Sequence, residues 1–201
     1  MNELDFKIPL TYYFMNDPSV ALNFEFPFDY NRRRCDLLVV SNNEIIGIEI
    51  KSDIDNLDKL EEQLDSYYKC FNKVYVACGQ KHYSSIKKLD GDFGIIYITR
   101  DGLKIKRKPK VKKKLSIFPI LDMCDKALLE KWTGIKSSNK SDLIIQIEKK
   151  LSKAQIYTAH RNAIFEKVSR IFEAFISERG AVITREDITL LSLKSMNLGS
   201  I

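Results

Sequence analysis

The stretch RCDLLVVSNNEIIGIEIK, Arg34 to Lys51, limits the folds open to this chain more than any other segment. Two apolar runs, Cys35–Val40 and Glu44–Lys51, flank Ser41-Asn42-Asn43, a turn composition, and read as an antiparallel hairpin. The second run contains IIGI, apolar on both faces, as in a strand covered on both sides. Yet three charges stand in these strands: Asp36 near the start of the first, Glu49 and Lys51 at the end of the second. Side chains alternate along a strand, so Glu49 and Lys51 share one face while Ile48 and Ile50 share the other. The hairpin returns Asp36 beside them. Two carboxylates and a lysine converging on a covered sheet end suit a divalent-metal site with a charge partner for phosphate. Glu49 and Lys51 alone would also fit an ordinary solvated strand edge; the apolar strand and Asp36 weigh against that, because a charged pair in a covered sheet is costly unless matched.

The next segment sets the topology. Between Asp53 and Phe71, the residues Ile54, Leu57, Leu60, Leu64, Tyr67, Tyr68 and Phe71 fall at helical spacing, with acids early and lysine late. Val74–Ala77 then reads as a short buried strand, and strand–helix–strand implies parallel pairing with a right-handed crossover. Ahead of the hairpin, residues 2–15 read as a short amphipathic helix weakened by Pro9 and ended by Asn16-Asp17-Pro18. Val20–Phe26 is a strand closed by Pro27. After the crossover come a helix at His82–Leu89 and a buried strand at Phe93–Ile98. This order predicts an α/β core: a mixed central sheet flanked by helices, its first three strands antiparallel.

Past Thr99 the character changes. Lys104–Lys114 reads KIKRKPKVKKK, with eight Lys or Arg in eleven positions and no acid. The first hundred residues carry 12 Lys and Arg against 16 Asp and Glu; the remainder carries 21 against 11. Such asymmetry points toward nucleic-acid contact by the basic half, although a charge run also reads as a solvated linker. Residues 121–150 form two helices around a Gly134–Asn139 bend, with Ser141 a suitable N-cap and Trp132 a core residue. Ala159–Arg179 is one long amphipathic helix. The tail, 183–201, has little pattern, and its last residues should be loose. Three regions follow: a core at 1–100, a basic linker at 101–118 and a mainly helical C-terminal part at 119–201.

Several classes are disfavoured. At 44% hydrophobic and 30% charged residues the chain can bury a core. No apolar run approaches the roughly 18 residues that span a membrane, and MNELDFKIPL lacks the basic start and apolar centre of a signal peptide. Cys35, Cys70, Cys78 and Cys124 form no CxxC pair and read as free thiols in a reducing compartment. His82 and His160 are isolated, against a histidine-based nuclease or zinc hydrolase. A cytoplasmic protein without membrane contact is the expectation.

Asp36, then Glu49-Ile50-Lys51 on a second strand, then a helix bearing Gln63, resembles the PD-(D/E)xK nuclease superfamily, with its restriction-endonuclease-like core. The run IEIKSDIDNLDKLEEQLDSYYKCFNKVYV is similar to an uncharacterised bacterial and phage branch of it. The resemblance covers about residues 1–100 and more loosely the helices to 150; Cys35 stands where the motif has proline. It implies a DNA-hydrolysing enzyme using Mg²⁺, with Mn²⁺ able to substitute. Asp36 and Glu49 would be the ligands, with the Ile50 carbonyl a third, and Lys51 would position or deprotonate the attacking water. Gln63 would support the site. An upstream acid is also implied, either Glu3 on the first helix, where family members carry it, or Glu25 on the first strand. Arg34 would contact phosphate or buttress Asp36. Lys104, Lys106, Arg107, Lys108, Lys110, Lys112, Lys113 and Lys114 would grip the backbone of a nucleic acid, DNA foremost, without sequence preference. Residues 121–150 are weakly similar to the SAP-type helix–bend–helix, with Lys136, Lys140 and Lys149 as contacts. The same pattern fits a catalytically weak or inactive nuclease-fold module binding DNA or a protein partner, such as a phage or mobile-element accessory protein. A homodimer is left open.

Overall fold

The computed structural model describes residues 1–41 and 44–192. Its elements, in chain order, are α1 (Leu4–Met15), β1 (Val20–Phe28), β2 (Arg33–Ser41), β3 (Ile45–Lys51), α2 (Leu60–Cys70), β4 (Lys73–Cys78), α3 (Gln80–Lys88), β5 (Gly94–Thr99) and β6 (Gly102–Arg107). A helical part follows: α4 (Ile117–Asp122), α5 (Lys126–Thr133), α6 (Lys140–Lys150), α7 (Lys153–Glu178) and α8 (Arg185–Leu190). The six strands form one sheet in sequence order. β1, β2 and β3 are antiparallel, β3, β4 and β5 parallel, and β6 returns antiparallel to β5. This is the mixed, helix-flanked α/β sheet with a helical C-terminal part that the element order implies.

Both faces are covered. On one, Phe6 and Leu10 of α1 pack with Leu22, Phe24, Leu37, Val39, Ile48 and Ile50, and Ile188 and Leu191 close the same cluster. On the other, α2 and α3 join the helices after residue 115 in a continuous core running from Ala21 to Val168. Both sheet edges are protected as exposed strands require. The Leu191 carbonyl accepts from the backbone N–H of Phe24 (2.9 Å) and from Nδ2 of Asn23 (2.8 Å). At the other edge, β6 carries exposed Lys104 and Lys106. Among the described residues, no helix is long and apolar enough to cross a membrane.

Five expectations need correction. Residues 102–107, read as linker, form the sixth strand, because Leu103 and Ile105 have apolar partners on β5 and the α1 face. The second helix begins at Leu60, not Asp53: Asp55 Oδ2 accepts from both N and Oγ of Ser52 (2.8 and 2.6 Å), and this local capture of the backbone competes with helix. β1 continues through Pro27, which an edge strand tolerates. Asn139 rather than Ser141 caps α6, accepting from Asp142 N. Trp132 is 41% exposed and donates to Glu166 instead of entering the core. The four cysteines are buried free thiols. Asn42 and Asn43 of the turn, and the tail residues for which looseness was expected, lie outside the described residues.

Candidate functional site

α2 lies across β3 with a matched register. Phe71, Tyr67 and Gln63 are four residues apart, about 6 Å of helix rise, while Gly47, Glu49 and Lys51 are two apart, about 6.6 Å of strand. The pairs coincide. A Cβ on Gly47 would meet the Phe71 ring at 2.4 Å, so glycine lets the helix sit this close. Tyr67 donates its hydroxyl to Glu49 Oε2 (2.8 Å). Gln63 Nε2 donates to Glu49 Oε1 (2.5 Å), and Gln63 Oε1 accepts from Lys51 Nζ (2.8 Å). The Lys51 ammonium also pairs with Glu49 Oε1 at 2.9 Å. Glu49 is 3% and Lys51 7% exposed. The sheet end thus holds a buried carboxylate and lysine and a half-buried glutamine that satisfy one another.

Asp36 enters through a break in the sheet. Pairing of β2 with β3 stops at Leu37–Ile48, and Asp36 Oδ2 accepts the Ile50 N–H at 2.6 Å. The Asp36 N–H is instead taken by the Tyr67 hydroxyl (3.3 Å). Across from Asp36, Glu25 adopts φ 54°, a conformation that costs about 1–3 kcal/mol for a side-chain-bearing residue and persists only where surroundings impose it. Both strands change phase there. Leu22, Phe24, Leu37 and Val39 face α1, whereas Phe26, Phe28 and Cys35 face the opposite core. Two cations hold the kink: Arg34 donates to the Glu25 carbonyl (3.1 Å), and Lys7 of α1 pairs with the Glu25 carboxylate (2.9 Å). Lys7 also reaches Glu3, one turn back on α1, at 2.7 Å. Glu3 and Glu25, the alternative upstream acids, therefore share one ammonium.

Negative charge is concentrated here. Burial pushes the Asp36 carboxyl well above the usual carboxylate range, Glu49 adds to the rise, and Glu25 and Glu3 contribute against the opposing Ile50 N–H. Burial pulls the Lys7 ammonium down, but its two carboxylates outweigh that and leave it raised. Lys51 already offsets Glu49, so Asp36 is the carboxylate for which a further cation would be the counterweight. Among the described residues no group of three or more His, Cys, Asp and Glu side chains is arranged to hold a metal ion. The donor set is two hard carboxylates with the Ile50 backbone between them, which suits Mg²⁺, an ion that keeps much of its water and takes one or two carboxylates.

Tyr67 and Lys7 were missed in the sequence. Tyr67 read as core packing, which its ring is, but its hydroxyl ties Asp36 to Glu49. Its spacing from Gln63 was the available signal. Lys7 stands four residues after Glu3, the spacing of a helical ion pair.

The basic run does not form one surface. Lys51, Cys78, Tyr97 and Lys104 occupy one row across β3 to β6, three strand spacings or about 14 Å. A cavity of about 680 Å³ beside them is lined by Asp53, Gln80, Tyr97, Arg100, Lys104 and Lys106, among others. Lys106 lies over the Tyr97 ring at 5.6 Å. The remainder runs to the opposite sheet end, where the Lys110 N–H donates to Asp92 and the Lys112 N–H to Asn72, each at 2.8 Å. Arg107 is turned inward, donating to the Phe93 and Leu89 carbonyls (3.0 and 3.1 Å). Lys110 pairs with Asp92 at 3.0 Å; Lys108, Lys113 and Lys114 are exposed. In the α5–α6 pair, Lys140 turns to the Asp122 carbonyl (2.6 Å), while Lys136 and Lys149 are exposed.

A family model for bacteriophage P4 protein cII matches residues 10–192, a span that includes the whole sheet and the helices after it and begins beyond Glu3. Protein cII of Enterobacteria phage P4 is 30% identical over 173 residues, covering 80% of this chain and 65% of that protein. The chain thus spans about 65% of the length of this curated relative. Among solved structures, the SPO1766 protein of unknown function from Silicibacter pomeroyi is similar over 90% of this chain and 97% of its own, with a TM-score of 0.49 and 12% identity.

Proposed function

This chain belongs to the bacteriophage P4 protein cII family, and we propose that it is a cytoplasmic, metal-dependent nuclease of the PD-(D/E)xK type that hydrolyses DNA phosphodiester bonds at the end of β3. The supporting observation is the convergence of Asp36, Glu49, Lys51 and Gln63 at one break in the sheet, with Asp36 driven up by burial and by Glu49.

In this reading Asp36 and Glu49, with the Ile50 carbonyl, would hold Mg²⁺ or Mn²⁺. The bound ion supplies charge neutralisation at phosphorus and a more acidic water. Lys51 pairs with Glu49 at 2.9 Å; it orients the attacking water and offsets charge developing on the phosphate. Gln63 fixes Lys51 and Glu49 relative to one another, and Tyr67 fixes Glu49 relative to the Asp36 backbone. Lys7 gathers Glu3 and Glu25 behind Asp36, where Glu25 or Glu3 completes the acidic set. Lys104, in the row that begins at Lys51, and Lys106, over the Tyr97 ring, grip neighbouring phosphates, and Arg34 adds charge at the other side of the break. Calorimetric titration with Mn²⁺ tests the metal step: wild type gives a saturable signal that Asp36→Ala abolishes. An identical signal from the variant would refute it.

One observation favours a second reading. Both Glu49 oxygens already accept from protein donors, as in a module that keeps the nuclease fold but only binds nucleic acid or a protein partner, in the manner of a phage accessory protein. Metal binding without cleavage of any substrate would select this reading.

A further inference from the structure

Parallel strands place a ligand crevice beyond their carboxyl ends, and the cavity of about 680 Å³ lies there, past β3, β4 and β5. Asp53, Gln80 and Thr99 border it, each two residues beyond a member of the row Lys51, Cys78 and Tyr97. Lys51 and Tyr97 share one face of the sheet, two strand spacings or about 10 Å apart. The volume falls in the range of pockets that seat small-molecule-sized ligands, room enough for a nucleotide.

One wall is aromatic. The Tyr83 ring of α3 packs against Tyr97 with centroids 4.7 Å apart and planes at 49°. The Lys106 ammonium lies over the Tyr97 ring, 5.6 Å from its centroid, and the Lys106 side chain is exposed. A solvated ammonium reaches a ring only over a face that solvent also reaches, so Tyr97 keeps an accessible face. Both tyrosines are half-buried. Among the described residues neither hydroxyl has a protein partner, and neither is buried without one, so both phenols end in solvent. The surrounding cations are uncommitted: Arg100, Lys104 and Lys106 are exposed, and among the described residues their side chains make no ion pair or hydrogen bond. Of the two acids in the lining, Asp53 pairs with the Met1 ammonium, which leaves Asp101 against three cations.

We propose that this crevice seats an unpaired nucleotide of single-stranded DNA, its base stacked on Tyr97 in place of the Lys106 ammonium and its phosphates paired with Arg100, Lys104 and Lys106. The proposal rests on the reading of the β3 end as a nucleic-acid site and narrows the substrate to a strand with unpaired bases. Phosphate contacts alone would accept either form of DNA. A ring face adds a preference, because a free base can stack on it whatever its sequence, whereas bases inside a duplex are already stacked on both sides.

Fluorescence anisotropy of the full chain with labelled oligothymidylate, and with a blunt duplex of equal length, reads binding in EDTA without metal or cleavage. The single strand should bind at least about fivefold tighter than the duplex. Tyr97→Leu should weaken that binding about fivefold to 150-fold, while Tyr97→Phe, which keeps the ring, stays within about twofold. Tyr97→Leu should leave the salt slope unchanged, since no phosphate contact is lost. Photocrosslinking of an iododeoxyuridine-substituted strand to wild type, which requires no variant to fold, should attach at Tyr97. No binding of the single strand, a preference for duplex, folded Tyr97→Leu binding as tightly as wild type, or crosslinks confined to other peptides would each overturn the proposal. Single-strand binding that depends on Tyr97, with no cleavage in Mg²⁺ or Mn²⁺, would support it and remove the hydrolytic reading alone.

Discussion

Tyr67→Phe removes one oxygen from the buried centre of the candidate site and should cost far more than an ordinary hydroxyl deletion. That hydroxyl donates to Glu49 Oε2 at 2.8 Å and accepts the Asp36 N–H at 3.3 Å. A hydrogen bond to an ionised acceptor contributes about 1.5–3 kcal/mol, and an orphaned backbone N–H costs about 1 kcal/mol more. The ring itself loses nothing, since it packs against Phe28 and Phe71 at centroid distances of 4.9 and 5.2 Å. The net expectation is a destabilisation of about 2–4 kcal/mol, or roughly 5–15 °C in Tm for a chain of this size. Urea unfolding followed by circular dichroism reads it directly, provided wild type and variant share one m-value. A loss below about 0.5 kcal/mol, the scale of an unremarkable surface change, would mean that the Tyr67 hydroxyl does not hold Glu49 and Asp36 together.

Asp36→Asn should do the opposite. A carboxyl whose folded pKa is raised is stabilising when protonated and loses that contribution as pH rises through the raised value. The amide keeps an acceptor for the Ile50 N–H without the charge, so the variant should melt higher than wild type near neutrality and equal to it near pH 4, while losing Mn²⁺ binding; a lower Tm at neutral pH would refute this. His160 supplies a second pH signature: with a folded pKa of about 3 against about 6.5 unfolded, stability is lost as pH falls below 6.5, by about 2 kcal/mol between pH 7.5 and 5. A folded His160→Gln variant should lack this component of the slope, and an unchanged slope would show that His160 is not buried neutral. Lys104→Ala with Lys106→Ala should weaken DNA binding and lower the salt slope by about two; an unchanged slope returns β6 to the role of a protected edge.

The sheet was legible because its strands carry unmistakable apolar runs and because one crossover, Ile45 to Ala77, fixes parallel pairing. Asp36, Glu49 and Lys51 stood out as charges in strands that should carry none. What stayed hidden depends on contacts between distant segments. No local pattern announces that Glu25 takes a positive φ opposite Asp36, or that Lys7 reaches both Glu3 and Glu25. Residues 102–107 looked like linker because their lysines dominate the composition, although Leu103 and Ile105 alternate with them as an edge strand requires.

The central claim is that the end of β3 cuts phosphodiester bonds, and cleavage itself is its most direct test. Labelled single-stranded, duplex and branched DNA should be incubated with Mg²⁺ or Mn²⁺ and either the wild-type chain or Lys51→Ala. The account predicts metal-dependent cleavage of at least one substrate by wild type, removed by EDTA and reduced at least a hundredfold in Lys51→Ala, the scale of losing a positioned catalytic group, about 10²–10⁴. Identical behaviour of wild type and Lys51→Ala on every substrate would contradict it.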